Sequence, residues 1–188
     1  MFATISRRVA ACAVAATALA LMTACNSATD DPGTSEAQVT VSSVSPTTAC
    51  VDVDGIPQDV NGDGTNEQVF QSVVQTINLE SRVRGSGTST WSDAVFTQVQ
   101  VRYEMTNGSA PPTRTEGVAV TVPADGAGSV GMTTVLADDI ITFWREGVGS
   151  GTATRGTIRL KFTGRDAGGE PVSATGSIPI EAVAVCGS

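Results

Sequence analysis

From Val39 onward, apolar and polar residues alternate with a period of two, the pattern of strands that bury one face. Val99, Val101, Tyr103 and Met105 alternate with Gln98, Gln100, Arg102 and Glu104. Val118, Val120 and Val122 share one face, and Ile158, Leu160 and Phe162 alternate with Arg159 and Lys161. Val172, Ala174, Ile178, Ile180, Ala182 and Ala184 carry the pattern toward the end of the sequence. Residues 69–83 read as one long or broken strand, and Val130 with Met132 marks a shorter one. Turn chemistry separates the runs, at Gly85-Ser86-Gly87, Asn107-Gly108 with Pro111-Pro112, Pro123 to Gly126, Gly149-Ser150-Gly151 and Asp166 to Gly169. Residues 136–147 read either as a short helical turn or as a strand plus loop. No stretch shows long helical periodicity. About seven short strands without intervening helices predict an all-β fold, an antiparallel sandwich whose two inner faces make the core.

Composition narrows the chemistry. The 188 residues contain no histidine, which excludes Ser-His-Asp and Cys-His nucleophile systems and His-ligated zinc. Eleven Lys and Arg stand against nineteen Asp and Glu, a formal charge of −8, so no nucleic-acid partner is expected. No apolar run reaches the length of a bilayer-spanning helix.

The beginning of the chain reads as an export signal. Arg7 and Arg8 precede an apolar run from Val9 to Met22, which ends in Met22-Thr23-Ala24-Cys25. This stretch resembles the lipobox of bacterial lipoproteins, with Met22 where the usual pattern has Leu. The resemblance implies cleavage after residue 24 and diacylglycerol attachment to Cys25. Residues 1–24 are then the signal peptide, 25–37 the lipidated cysteine and a flexible linker, and 38–188 the sandwich. The linker NSATDDPGTSEA is polar and rich in small residues, as a tether is. Removing residues 1–24 takes away two arginines and no acid, which makes the charge −10. The resemblance implies a membrane partner, reached through the lipid. It places the protein at the outer membrane, the cell surface or the periplasmic face of a diderm bacterium, and on the outer face of the plasma membrane in a monoderm one.

Cys50 and Cys186 remain once Cys12 has left with the signal and Cys25 is lipidated. Export puts them where disulfides persist, and their separation favours a staple between the first and last strands over a redox pair, which ordinarily has CxxC spacing. The segments Phe96–Pro112 and Ile158–Ala182 resemble the strand-and-loop and the closing hairpin of secreted bacterial Ig-like domains, including uncharacterised lipoproteins. That resemblance implies an Ig-like sandwich of the cell envelope and no activity.

Residues 59–67, DVNGDGTNE, carry the sharpest chemical signal. Asp59, Asn61 and Asp63 put oxygen side chains at every second position, Gly64 permits a tight turn, Thr65 offers a carbonyl and Glu67 a closing carboxylate. Hard oxygens in a flexible loop suit Ca²⁺ rather than Mg²⁺. The loop resembles the calcium loops of EF-hands, dockerins and integrin-like repeats, but Phe70 stands where an EF-hand places its bidentate Glu. The competing reading is a polar Asn-Gly-Asp-Gly turn with solvated acids.

Other chemistry is weaker. Asp138, Asp139, Glu146 and Glu170 are candidate glycosidase acids, and Lys161 is the only lysine available to a Ser–Lys dyad, yet each reads better as a solvated charge. Trp91 lies in a Ser/Thr/Gly-rich stretch that favours exposure, whereas Trp144 beside Ile140, Ile141 and Phe143 reads as core. The sequence therefore predicts a non-catalytic envelope module, structural or binding, with an unidentified envelope protein or glycan as partner. The alternatives are a carbohydrate-binding module or adhesin using an exposed Trp and, behind it, a hydrolase without histidine.

Overall fold

The computed structural model describes residues 37–83, 93–107, 109–145, 153–184 and 186. The expected signal peptide, most of the tether, Cys25, Trp91 and Glu146 lie outside the described residues. Ten strands follow one another: β1 (Ala37–Ser45), β2 (Ala49–Asp52), β3 (Ile56–Gln58), β4 (Glu67–Val69), β5 (Val73–Val83), β6 (Ala94–Met105), β7 (Arg114–Val122), β8 (Ala127–Val135), β9 (Thr154–Asp166) and β10 (Pro171–Val183). Seven of these are nine residues or longer, matching the number that the alternation predicts. The other three, β2, β3 and β4, have three or four residues each, too few to show a period. The long-or-broken strand over 69–83 is broken: β4 ends at Val69 and β5 starts at Val73. The described part of the 136–147 stretch forms a helical turn, α1 (Ala137–Asp139), continued by a π-turn over Ile140–Trp144.

Two sheets face each other in a sandwich. One has the order β1-β5-β8 and the other β2-β10-β9-β6-β7, while β3 and β4 form a separate hairpin. Among the described residues every strand pairing is antiparallel except one. The short strand β2 runs parallel to β10, with Ala49 opposite Ile180 and Asp52 opposite Val183. The long strands thus form the antiparallel sandwich that the sequence predicts, and the short β2 adds one parallel edge to it. Burial explains it: Ala49 and Val51 have no exposed surface, so β2 closes the edge of β10 with its apolar face inward. The same pairing brings the two distant cysteines together. The sulfurs of Cys50 and Cys186 are 2.00 Å apart and their Cα atoms 5.9 Å apart. The staple joins the second strand, not the first, to the segment after the last strand, because β1 belongs to the opposite sheet.

The core follows the alternation. Ile158, Leu160 and Phe162 of β9 and Ile178 and Ile180 of β10 are buried, and so are Ile77 and Leu79 of β5 across the sandwich. Phe96 and Phe162 meet edge to face at 6.1 Å. Strand β6 changes phase midway. Ala94 and Phe96 point inward, and so do Val99, Val101 and Tyr103, because a bulge between Phe96 and Gln98 inserts one residue. Gly164 of β9 lies opposite Phe96 at that bulge. A Cβ there would sit 2.0 Å from the Val95 carbonyl oxygen and 2.7 Å from the Phe96 Cα. Gly164→Ala is therefore expected to force the two strands apart and cost about 2–3 kcal/mol. Gly117→Ala, where an added Cβ meets nothing within 4 Å, is the matched control and is expected to leave the melting temperature nearly unchanged. Equal melts for both variants would contradict the close approach at the bulge.

Candidate functional site

The predicted calcium-type residues occupy one loop, the connection between β3 and β4. The hairpin pairs Gln58 with Glu67 and so brings the two ends of the motif side by side. Gly62 and Gly64 both adopt positive φ, at 78° and 82°, which is why glycines stand there. Asp59, Asn61, Asp63 and Glu67 each turn a side-chain oxygen toward loop donors. Asp59 accepts from the backbone N–H of Gly62 at 2.6 Å and of Gly64 at 2.9 Å. Asn61 accepts from the Asp63 N–H at 3.0 Å, and Asp63 from the Thr65 N–H at 2.7 Å and the Thr65 hydroxyl. Glu67 accepts from the Val60 N–H at 3.0 Å and the Asn61 side-chain amide at 2.9 Å. Asp59, Asn61, Asp63, Thr65 and Glu67 thus form one hydrogen-bonded unit, exposed except for the half-buried Glu67. The Thr65 hydroxyl and amide hold the Asp63 carboxyl below the usual carboxylate range.

Chemically, this donor set suits a hard cation. Each carboxylate oxygen has a second lone pair beyond the one that meets an N–H. Of the two acids just upstream, Asp52 is engaged in its own turn and accepts from the amides of Asp54 and Gly55 at 3.0 and 3.1 Å.

The other candidates are dispersed. Asp138 and Glu170 are exposed, at separate turns. Lys161 is exposed on the outer face of β9, as its polar phase predicts. Trp144 is wholly buried, donates its indole N–H to the Ser109 carbonyl at 3.1 Å, and meets Tyr103 edge to face at 6.0 Å. It is core, as read from its apolar neighbours, and offers no platform to a sugar.

Asp139 belongs to a polar seam across the sandwich that the alternation alone did not single out. Arg114, on the inward face of the edge strand β7, is its centre. Its Nε donates to Glu116 at 2.6 Å, one terminal nitrogen to the Thr133 carbonyl at 2.7 Å, and the other to the Tyr103 hydroxyl and to Asp139 at 3.4 Å. The Tyr103 hydroxyl donates to the Thr134 carbonyl at 2.6 Å. Beyond it, the Thr134 hydroxyl donates to Gln75 at 2.8 Å, and Gln75 donates to the Pro46 carbonyl at 2.7 Å. The seam thus links β6 and β7 of one sheet with β5 and β8 of the other, and with the helical turn. Its donors and acceptors face one another, and what it does is hold the sheets in register. Two steps back along the Val122, Val120, Val118 phase lie Glu116 and Arg114, so the sequence signal for an inward-pointing charge was present.

Burial pushes the Tyr103 phenol up to about 12 from its ordinary 10.0, against the pull of Arg114. The chain has a single tyrosine, so its ultraviolet titration reports this group alone. In the folded protein the phenolate is expected to form near pH 12, and in urea near the ordinary value. The folded state holds the proton that the unfolded chain releases, so stability is fully present below pH 10 and falls as pH rises toward 12. A native titration at the ordinary value would mean an open, solvated hydroxyl.

No protein-family model matches this sequence, and it matches no curated protein.

Proposed function

We propose that this chain is an exported, lipid-anchored module of the bacterial cell envelope with a binding or structural role rather than a catalytic one. The observation that carries the reading is the Cys50–Cys186 pair at bonding distance across 136 residues of chain. A disulfide between ends of one domain belongs to an oxidising compartment. That agrees with the Arg7-Arg8, apolar run and Cys25 that begin the sequence and resemble a lipoprotein signal. Cys25→Ser tests the anchor. The parent chain is expected in the membrane fraction and the variant in the soluble exported fraction, with the disulfide formed in both. Equal partition of the two would overturn the anchor.

The β3–β4 loop takes calcium in this reading, held by Asp59, Asn61, Asp63, the Thr65 carbonyl and Glu67. What supports it is the kind and spacing of the donors. The ion would supply charge neutralisation and loop order, and no reaction step. The amides already satisfy part of each carboxylate, so binding is expected in the weak range of extracellular modules, on the order of 10⁻⁴–10⁻³ M. At tenfold excess over such a constant, calcium adds about 1.4 kcal/mol and raises the melting temperature by about 3–5 °C. Asp59→Ala/Asp63→Ala is expected to abolish that shift. No shift in the parent chain would reduce the loop to a self-bonded turn.

A further inference from the structure

The outer face of the five-stranded sheet carries a charge opposite to that of the chain as a whole. Strand β9 shows solvent Arg155, Arg159, Lys161 and Arg165 on one face, at the even spacing of alternate strand positions. Arg102 of β6 stands directly opposite Arg159. Like charges facing each other across a strand pair are destabilising, and a surface shaped for stability alone avoids them. One carboxylate bridges this pair: Glu104 lies 2.9 Å from Arg159 and 3.9 Å from Arg102. Lys161 has no ion-pair partner among the described residues. Between β6, β9 and β10, Arg102, Glu104, Arg159 and Lys161 border a shallow groove, edged by Gln100 from one side and by Thr175 and Ser177 from the other.

We propose that this groove binds an extended anionic polysaccharide, with Arg102, Arg159 and Lys161 meeting its carboxylates and Gln100, Thr175 and Ser177 its hydroxyls. Charge complementarity is the ground for the occupant. At physiological salt, charges more than about 8 Å apart are largely screened, so the local sign of the face governs contact rather than the acidic total. A glycan fits better than a membrane surface. Interfacial binding needs apolar side chains to bury, and Val95, at the far end of β6 from this groove, is the exposed large apolar residue of the sheet face. Among the described residues no aromatic side chain is strongly exposed, so recognition rests on charge and hydrogen bonds instead of stacking. The inference names a ligand class for the binding role proposed above and rests on that reading for its setting. Its failure leaves the Cys25 fractionation result standing.

The test is calorimetric titration of the chain with polygalacturonate oligomers, at low and at physiological salt, beside neutral dextran and phosphatidylglycerol vesicles. Saturable binding to polygalacturonate alone, weakening with salt, is the expected result. Arg102→Gln/Lys161→Gln is expected to bind about tenfold more weakly, with its melting temperature within a degree or two of the parent. Arg82→Gln/Arg145→Gln, which removes the same charge elsewhere, is expected to bind as the parent does. No binding at low salt, equal loss in both variants, or binding to vesicles but not to polygalacturonate would each overturn the proposal.

Discussion

Replacing Arg114 by methionine is expected to destabilise the fold by about 3–5 kcal/mol, the cost of breaking a largely buried ion pair from one side. The Arg114 side chain is 16% exposed and that of Asp139 14%. Without the guanidinium, burial still disfavours the Asp139 carboxylate, which it already holds above the usual range even with Arg114 nearby. The Thr133 carbonyl loses its side-chain donor, and Tyr103 keeps its bond to the Thr134 carbonyl and a longer contact with Asp139, at 3.5 Å. A second change, Asp139→Asn, is expected to recover part of the loss, so that the two changes are strongly non-additive in a urea-unfolding cycle. Arg155→Met is the contrast. Its pair with Glu181 is short, at 2.6 Å, but Arg155 is 70% exposed, and such surface pairs contribute at most about 1 kcal/mol. Similar midpoints for the two arginine variants would mean that the seam does not hold the sheets together.

Removing the disulfide is the second large effect. Cys50→Ala/Cys186→Ala opens a loop closed across 136 residues, which the chain-entropy treatment values at about 5 kcal/mol; measured removals run at about 2–5 kcal/mol. The melting temperature is expected to fall by roughly 5–15 °C. The loss has a location as well. Strand β2 pairs with β10 over only four positions, so amide exchange is expected to rise first at Ala49–Asp52 and the facing end of β10, before the β6–β9 centre. Uniform exchange throughout, or an unchanged melt in reductant, would contradict a staple that secures this edge.

Much of the sandwich was legible because alternation is a direct consequence of burying one strand face. Ile158, Leu160 and Phe162 read correctly since β9 runs straight for thirteen residues. Where the backbone departs from a straight strand, the period fails. The bulge in β6 puts Phe96 and Val99 on the same face three residues apart, which resembles no strand pattern in sequence. Strand β2 was hidden for another reason. Four residues cannot display a period, and its parallel pairing depends on a partner that lies far along the chain. The loop at Asp59–Glu67 was legible as a unit because all its contacts are local, and the hydrogen bonds join residues two to seven apart. The seam around Arg114 was not, since its partners lie on three other elements and meet only when the sheets close. The cation row on β9 was half visible: Arg159 and Lys161 mark the polar phase, and extending it two steps either way reaches Thr157 with Arg155 and Thr163 with Arg165.

The most direct test of the envelope assignment is the intact mass of the protein purified from the membranes of a bacterium that expresses it. The account predicts a chain that begins at Cys25, carries a diacylglycerol and lacks the two hydrogens of a Cys50–Cys186 disulfide. A chain that retains residues 1–24, begins at an unmodified Cys25, or carries Cys50 and Cys186 as free thiols would contradict it.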